Sequence, residues 1–235
     1  MYAQSILGIG WAVIQPIFSM IVFTVVFGNL AKIDSNGVPY AIFSFTALVP
    51  WTYFSSSLSS SSRSLLSASG MMTKVYFPRL IIPISPVISK LLDFFIALIM
   101  LVGMMLYFGF SPSTDVIYLP LLVLLMIFTA SGLGMWFTAL SIQYRDINYG
   151  MGFFIQLLMY AAPVVYPSSM IPETYRTLYG LFPMAAVIEG FRAIFLQTIK
   201  MPWDFIFTGT IVSLLLFVTG SFNFRRMEKY FADVA

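Results

Sequence analysis

The sequence predicts an all-α membrane protein with six transmembrane helices and, before the last of them, a re-entrant helical hairpin on the outer side. Hydrophobic residues make up 60% of the 235-residue chain and charged residues only 9%, against roughly a quarter charged in an ordinary soluble domain. Most of this surface therefore has to face lipid or other protein. Apolar runs close to the ~20 residues that cross a bilayer recur along the chain, with short breaks between them. No linker or polar stretch is long enough to fold by itself and no internal repeat occurs, so residues 1–235 read as one domain.

The spans are expected near residues 8–29, 40–62, 82–108, 117–141, 150–166 and 204–222. Backbone polar groups in lipid must be satisfied within the segment, which makes each of them a helix. The first, Gly8 to Gly28, has the length of a full span and lacks a basic leader, so it reads as a retained span rather than a cleaved signal. Pro83 and Pro86 open the third span and Pro120 opens the fourth, positions in a first turn where a missing N–H costs nothing. Pro163 and Pro167 close the fifth.

Residues 168–200 decide the topology. Ala185 to Ile199 has helical character, but about 15 residues reach roughly 22 Å, and Glu189 and Arg192 interrupt it. With Glu173 to Leu181 before Pro183, it forms the predicted hairpin. Charge placement agrees: with both termini cytoplasmic, Arg63, Lys74, Arg79, Lys90, Arg145, Arg225, Arg226 and Lys229 fall on the inner side, eight of the twelve basic residues. A seventh span would move the C-terminal basic cluster to the wrong face.

The chain has neither cysteine nor histidine, which removes disulfides, thiolate or imidazole metal sites and His-based acid–base chemistry. No metal site or catalytic centre is predicted. The net charge of +3 sets membrane orientation rather than nucleic-acid affinity. No G-x-x-x-x-G-K-[ST] loop occurs, so no nucleotide cofactor is expected on this chain.

Three segments carry specific wording: Gln143 to Gly150 (QYRDINYG) with Phe153 to Pro167, Lys74 to Arg79 (KVYFPR), and Met227 to Val234 (MEKYFADV). In these segments, and in their order, the chain resembles the membrane subunits of ABC-2-type exporters that move lipid-linked polysaccharides such as O-antigen, capsule or teichoic acid. The resemblance implies a homodimer in a bacterial cytoplasmic membrane, paired with two copies of a separate cytoplasmic ATPase that uses ATP and Mg. Relative to that family, Ser5 to Pro16 forms the entry to the first span, and the amphipathic helix expected before it is mostly absent, trimmed or never present. An ABC-2 exporter of a drug or lipid, and a membrane enzyme acting on polyprenyl-linked sugars, are the alternatives. The enzyme would need a cluster of carboxylates or histidines that the sequence does not display.

The ATPase-coupling candidates are Met71, Lys74, Tyr76 and Arg79, which offer apolar knobs and cations, together with the turn Tyr144, Arg145 and Asp146. An ordinary basic inner loop, and simple capping of helix ends by Arg145 and Asp146, are the bland readings of the same residues. For the substrate path, seven serines fill the eight positions 55–62, and Thr52, Ser55, Ser59 and Ser62 share one helical face. They line a hydrated path or they allow close helix packing. Trp11, Tyr40, Phe43, Trp51, Tyr53, Tyr160 and Tyr166 are the aromatic path candidates, as stacking surfaces for sugars or as interfacial belt residues. Lys90 with Asp93 and Glu189 with Arg192 have i,i+3 spacing and are expected to neutralise each other near an interface.

Overall fold

A computed structural model describes residues 10–72, 78–144 and 146–228, and within them the regular structure is all helical. The elements are α1 (Gly10–Phe23), α2 (Tyr40–Met72), α3 (Ile81–Ser89), α4 (Leu91–Phe108), α5 (Leu119–Gln143), α6 (Asp146–Ala161), α7 (Glu173–Gly180), α8 (Pro183–Phe195) and α9 (Trp203–Met227). Among the described residues, four stretches are long and apolar enough to cross a membrane: Gly10–Leu30, Ile81–Phe108, Thr114–Gln143 and Trp203–Met227.

The sequence signals act where chemistry requires. α1 widens into a π-helical segment, Thr24–Leu30. α3 runs into α4 with a single break at Lys90, whose N–H still reaches Pro86 O. Gly109, at φ 75°, ends α4 in the left-handed conformation, and Phe110 N donates back to Met105 O at 2.9 Å, closing the orphan carbonyls as a C-terminal glycine can. Pro120 and Pro183 occupy the first turns of α5 and α8.

Two expected spans differ in extent. α2 has 33 residues and outlasts the predicted 40–62 stretch, yet its serine run dilutes the apolar signal that marks the other four. α6 begins earlier than expected and stops at Ala161, giving 16 residues, about 24 Å at 1.5 Å per residue. Pro163, which cannot donate to the helix ladder, follows that stop. Where the hairpin is expected, two helices, α7 and α8, are bent by 104° at a short break, a geometry shared by a broken span and a re-entrant hairpin.

Around α2 the core is built from α3, α4, α5 and α8. Every residue of α8 is buried, so this helix lies inside protein rather than against lipid. α5 crosses α9 at the glycines: a Cβ on Gly132 would sit 2.6 Å from the Leu216 carbonyl carbon, and one on Gly220 2.5 Å from Gly132 O. Only hydrogen fits at these points, the small-residue contact by which membrane helices approach. Elsewhere hydroxyls join helices to backbone: Thr138 donates to Ser61 O at 2.7 Å, Ser141 to Ser62 O at 3.0 Å and Ser61 to Pro83 O at 2.7 Å.

Candidate functional site

α2 presents its serines in three directions. Ser57, Ser61 and Ser62 are fully buried among the helices. Ser60, Ser64 and Ser67 line a groove of about 450 Å³ against Ser85 and Ser89 of α3. Thr52, Ser55, Ser56 and Ser59 face a cleft of about 350 Å³, within the roughly 300–1,000 Å³ of small-molecule pockets. Packing and cleft-facing serines thus occupy different faces of the helix, and Ser62, expected on the face of Thr52, Ser55 and Ser59, is buried instead.

The cleft is closed by Trp11 and Gln15 of α1, Tyr53 of α2, Asp93 and Phe94 of α4, and Gly152 of α6. Tyr53 is fixed by its hydroxyl, which donates to Val87 O at 3.0 Å, and by the edge of Phe94, with centroids 5.7 Å apart. Lys90 Nζ donates to Asp93 Oδ2 at 2.8 Å, so the i,i+3 pair forms as expected. Trp11 is 50% exposed, which leaves part of its indole open to an occupant. A wall of hydroxyls with one ion pair and one accessible ring suits a polyhydroxylated molecule: hydroxyls exchange hydrogen bonds and the ring takes an apolar face.

A second polar assembly is centred on Arg192 of α8. Arg192 Nη1 donates to Glu189 Oε1 at 2.9 Å and to Tyr166 O at 3.2 Å, and Nη2 donates to Val164 O at 3.1 Å. Glu189 also accepts from Ser168 N at 3.1 Å. Tyr40 donates to Val165 O at 2.7 Å. The connection after α6, residues 162–168, is therefore held from α8 on one side and from the head of α2 on the other. Both charges are buried, at 0% and 1% side-chain exposure, deeper than the interfacial position expected from the sequence.

The profile of the family described as ABC-2 type transporter matches residues 1–196. The chain belongs to that family. It is 27% identical to an O-antigen export system permease protein RfbA of Klebsiella pneumoniae over 234 residues, covering 99% of this chain and 89% of that one. A second RfbA of the same organism is 25% identical, and the RfbA of Myxococcus xanthus 27%, with the same coverage. With its four apolar helices, this ABC-2 transporter chain is a multi-pass membrane protein and a transporter component.

In this ABC-2 chain the predicted path residues separate into two groups. Trp11, Tyr53, Ser55 and Ser59 meet in the cleft. Tyr40 and Phe43 are buried beside Arg192, and Trp51 is buried against Phe54 with centroids 5.5 Å apart. Tyr160 is exposed and its carbonyl accepts from the Tyr166 hydroxyl at 2.9 Å. Of the coupling candidates, Arg79 donates to Glu228 O at 2.9 Å at the end of α9. Tyr144 is exposed at the end of α5, and Asp146 sits in the first turn of α6, where its carboxylate complements the helix dipole. Lys74, Tyr76 and Arg145 lie outside the described residues, as does the Met71 side chain. Gln15, Ser56, Lys90, Asp93 and Gly152 join the cleft without having been singled out as path residues. The signal available for Lys90 and Asp93 was ionisable side chains inside an apolar run.

Proposed function

We propose that this chain is the membrane-spanning permease of an ATP-driven exporter that moves a lipid-linked, O-antigen-like polysaccharide across a bacterial cytoplasmic membrane. The observation that carries this reading is the similarity to O-antigen export permeases along 99% of the chain. The hydroxyl-lined cleft supports it, because its chemistry suits sugar and its walls come from four separate helices.

In this reading α2 and α6 complete six spans, and the α7 and α8 pair forms a re-entrant hairpin on the outer side, with both termini cytoplasmic. Two copies of the chain form the conduit. Two copies of a cytoplasmic ATPase dock near the α2–α3 connection and the Tyr144 turn, and ATP with Mg is hydrolysed on them.

The test is export in a strain lacking this permease and its ATPase, with each chain returned alone and together. Surface glycan should appear only with both, and the purified permease alone should hydrolyse no ATP. Surface glycan without any cassette ATPase would overturn the reading. Restored efflux of a hydrophobic drug with unchanged surface glycan would favour a drug or lipid exporter.

A further inference from the structure

We propose that the cleft bounded by α1, α2, α4 and α6 selects uncharged glycan segments over anionic ones. The proposal rests on the polysaccharide reading above and adds the charge class of the glycan.

The first support is charge balance. Among the described residues lining the cleft, Lys90 and Asp93 are the charged ones, and they are joined at 2.8 Å. The pair cancels, so a uronic acid or phosphate entering here meets no surplus cation. An anion that sheds water here without a cation to pair with bears an uncompensated desolvation cost. A neutral polyol has no such cost. It can also use Lys90, whose ammonium carries three protons and gives one of them to Asp93.

The second support is the polarity of the wall. Ser55 Oγ donates its proton to Thr52 O at 3.2 Å, and Ser56 Oγ donates to Thr52 O at 2.6 Å. Both protons are turned back into α2, the local bond that serine makes inside helices. What these side chains then offer the cleft is oxygen lone pairs. Acceptors attract the O–H groups of a sugar and repel anionic oxygen. The third support is Trp11, whose half-exposed ring can lie on the apolar face of a pyranose.

The test uses the purified full-length chain in phosphatidylcholine nanodiscs. Maltoheptaose serves as the neutral probe and a galacturonic acid heptamer as the anionic one, with both affinities measured by calorimetry. The wild type should bind the neutral oligomer at least tenfold more tightly, a difference of about 1.4 kcal/mol. Asp93→Asn leaves Lys90 without its counter-charge and should lower that ratio at least tenfold. Lys90→Met should raise it. The double exchange Lys90→Asp with Asp93→Lys keeps the cleft neutral and should restore the wild-type ratio, which guards against loss of folding in either single variant. Equal affinities in the wild type, preference for the uronate, no binding of either oligomer, or a ratio unmoved by all three variants would overturn the proposal. Failure of the permease reading is distinguishable: there the charge preference holds while the export assay shows no surface glycan.

Discussion

The guanidinium carbon of Arg192 lies 3.7 Å from the centre of the Phe43 ring, so a cation buried in the core is capped by an aromatic face from α2 and neutralised by Glu189 from its own helix. Paired and hydrogen-bonded through Nη1 and Nη2 and covered on its face, the guanidinium meets most of the conditions under which a buried charge is tolerated, with Nε the one nitrogen that has no partner among the described residues.

Arg192→Met strands Glu189 in the interior and leaves the Val164 and Tyr166 carbonyls without their donor. Breaking a buried pair from one side costs on the order of 3–5 kcal/mol, and this variant should lower the melting temperature in detergent sharply. Adding Glu189→Leu removes the stranded charge, so the double variant should recover part of the loss. Arg192→Lys should behave like Arg192→Met rather than the wild type, because a point charge cannot reach two carbonyls and cover a ring. A double variant less stable than either single one would refute this account.

Gly132→Ala and Gly220→Ala place a methyl where α5 and α9 touch backbone to backbone. Overpacking of this kind costs about 1–3 kcal/mol, with more expected where backbone is struck. Gly150→Ala is the control, since nothing lies within 4 Å of a Cβ there. Melting temperatures of the first two should fall while that of the third stays at the wild-type value.

Arg79 separates bracing from coupling. Its contacts to Glu228, the 2.9 Å bond to the carbonyl and a 3.8 Å approach to the carboxylate, are partly exposed, and such pairs contribute about 0–1 kcal/mol. Arg79→Glu should therefore shift stability little. A fall in co-purification of the ATPase at unchanged stability would identify Arg79 as part of the docking surface. A fall that Glu228→Arg reverses would identify the brace to α9 as what the ATPase requires.

Single cysteines can decide the span count, because the chain has none of its own. Ser113→Cys and Ser168→Cys should react with an impermeant maleimide in intact cells, and Asn223→Cys only after permeabilisation. Labelling of Asn223→Cys from outside would turn the α7 and α8 pair into a true span.

Much of the helix order was legible, because apolar runs, first-turn prolines and Gly109 act through local chemistry. The lengths of α2 and α6 were less so. Serine in α2 reads as polar in a hydropathy window, yet Ser61 donates to Pro83 O of α3 and Ser62 to Ser59 O of its own helix, and the helix continues. Pro163 marks the end of α6 locally, but the course of the 162–168 backbone beyond it depends on Arg192 and Tyr40, contacts 26 or more residues away in sequence that no local pattern displays. The site divides in the same way. Trp11, Tyr53, Ser55 and Ser59 followed from composition and helical spacing, whereas the inward placement of Tyr40 and Phe43 follows from a salt bridge on another helix.

α2 is continuous from Tyr40 to Met72, with Phe43 under Arg192 near one end and the cleft hydroxyls beginning at Thr52. The two are in phase only because the number of residues between them is what it is. Deleting one residue between Phe43 and Thr52 turns one site by about 100° relative to the other, swinging either the ring away from the guanidinium or the hydroxyls out of the cleft. A seven-residue insertion comes within about 20° of the original phase, but lengthens the helix by roughly 10 Å. This stretch of α2 behaves as a ruler: it tolerates exchange of side chains far better than any change in their number.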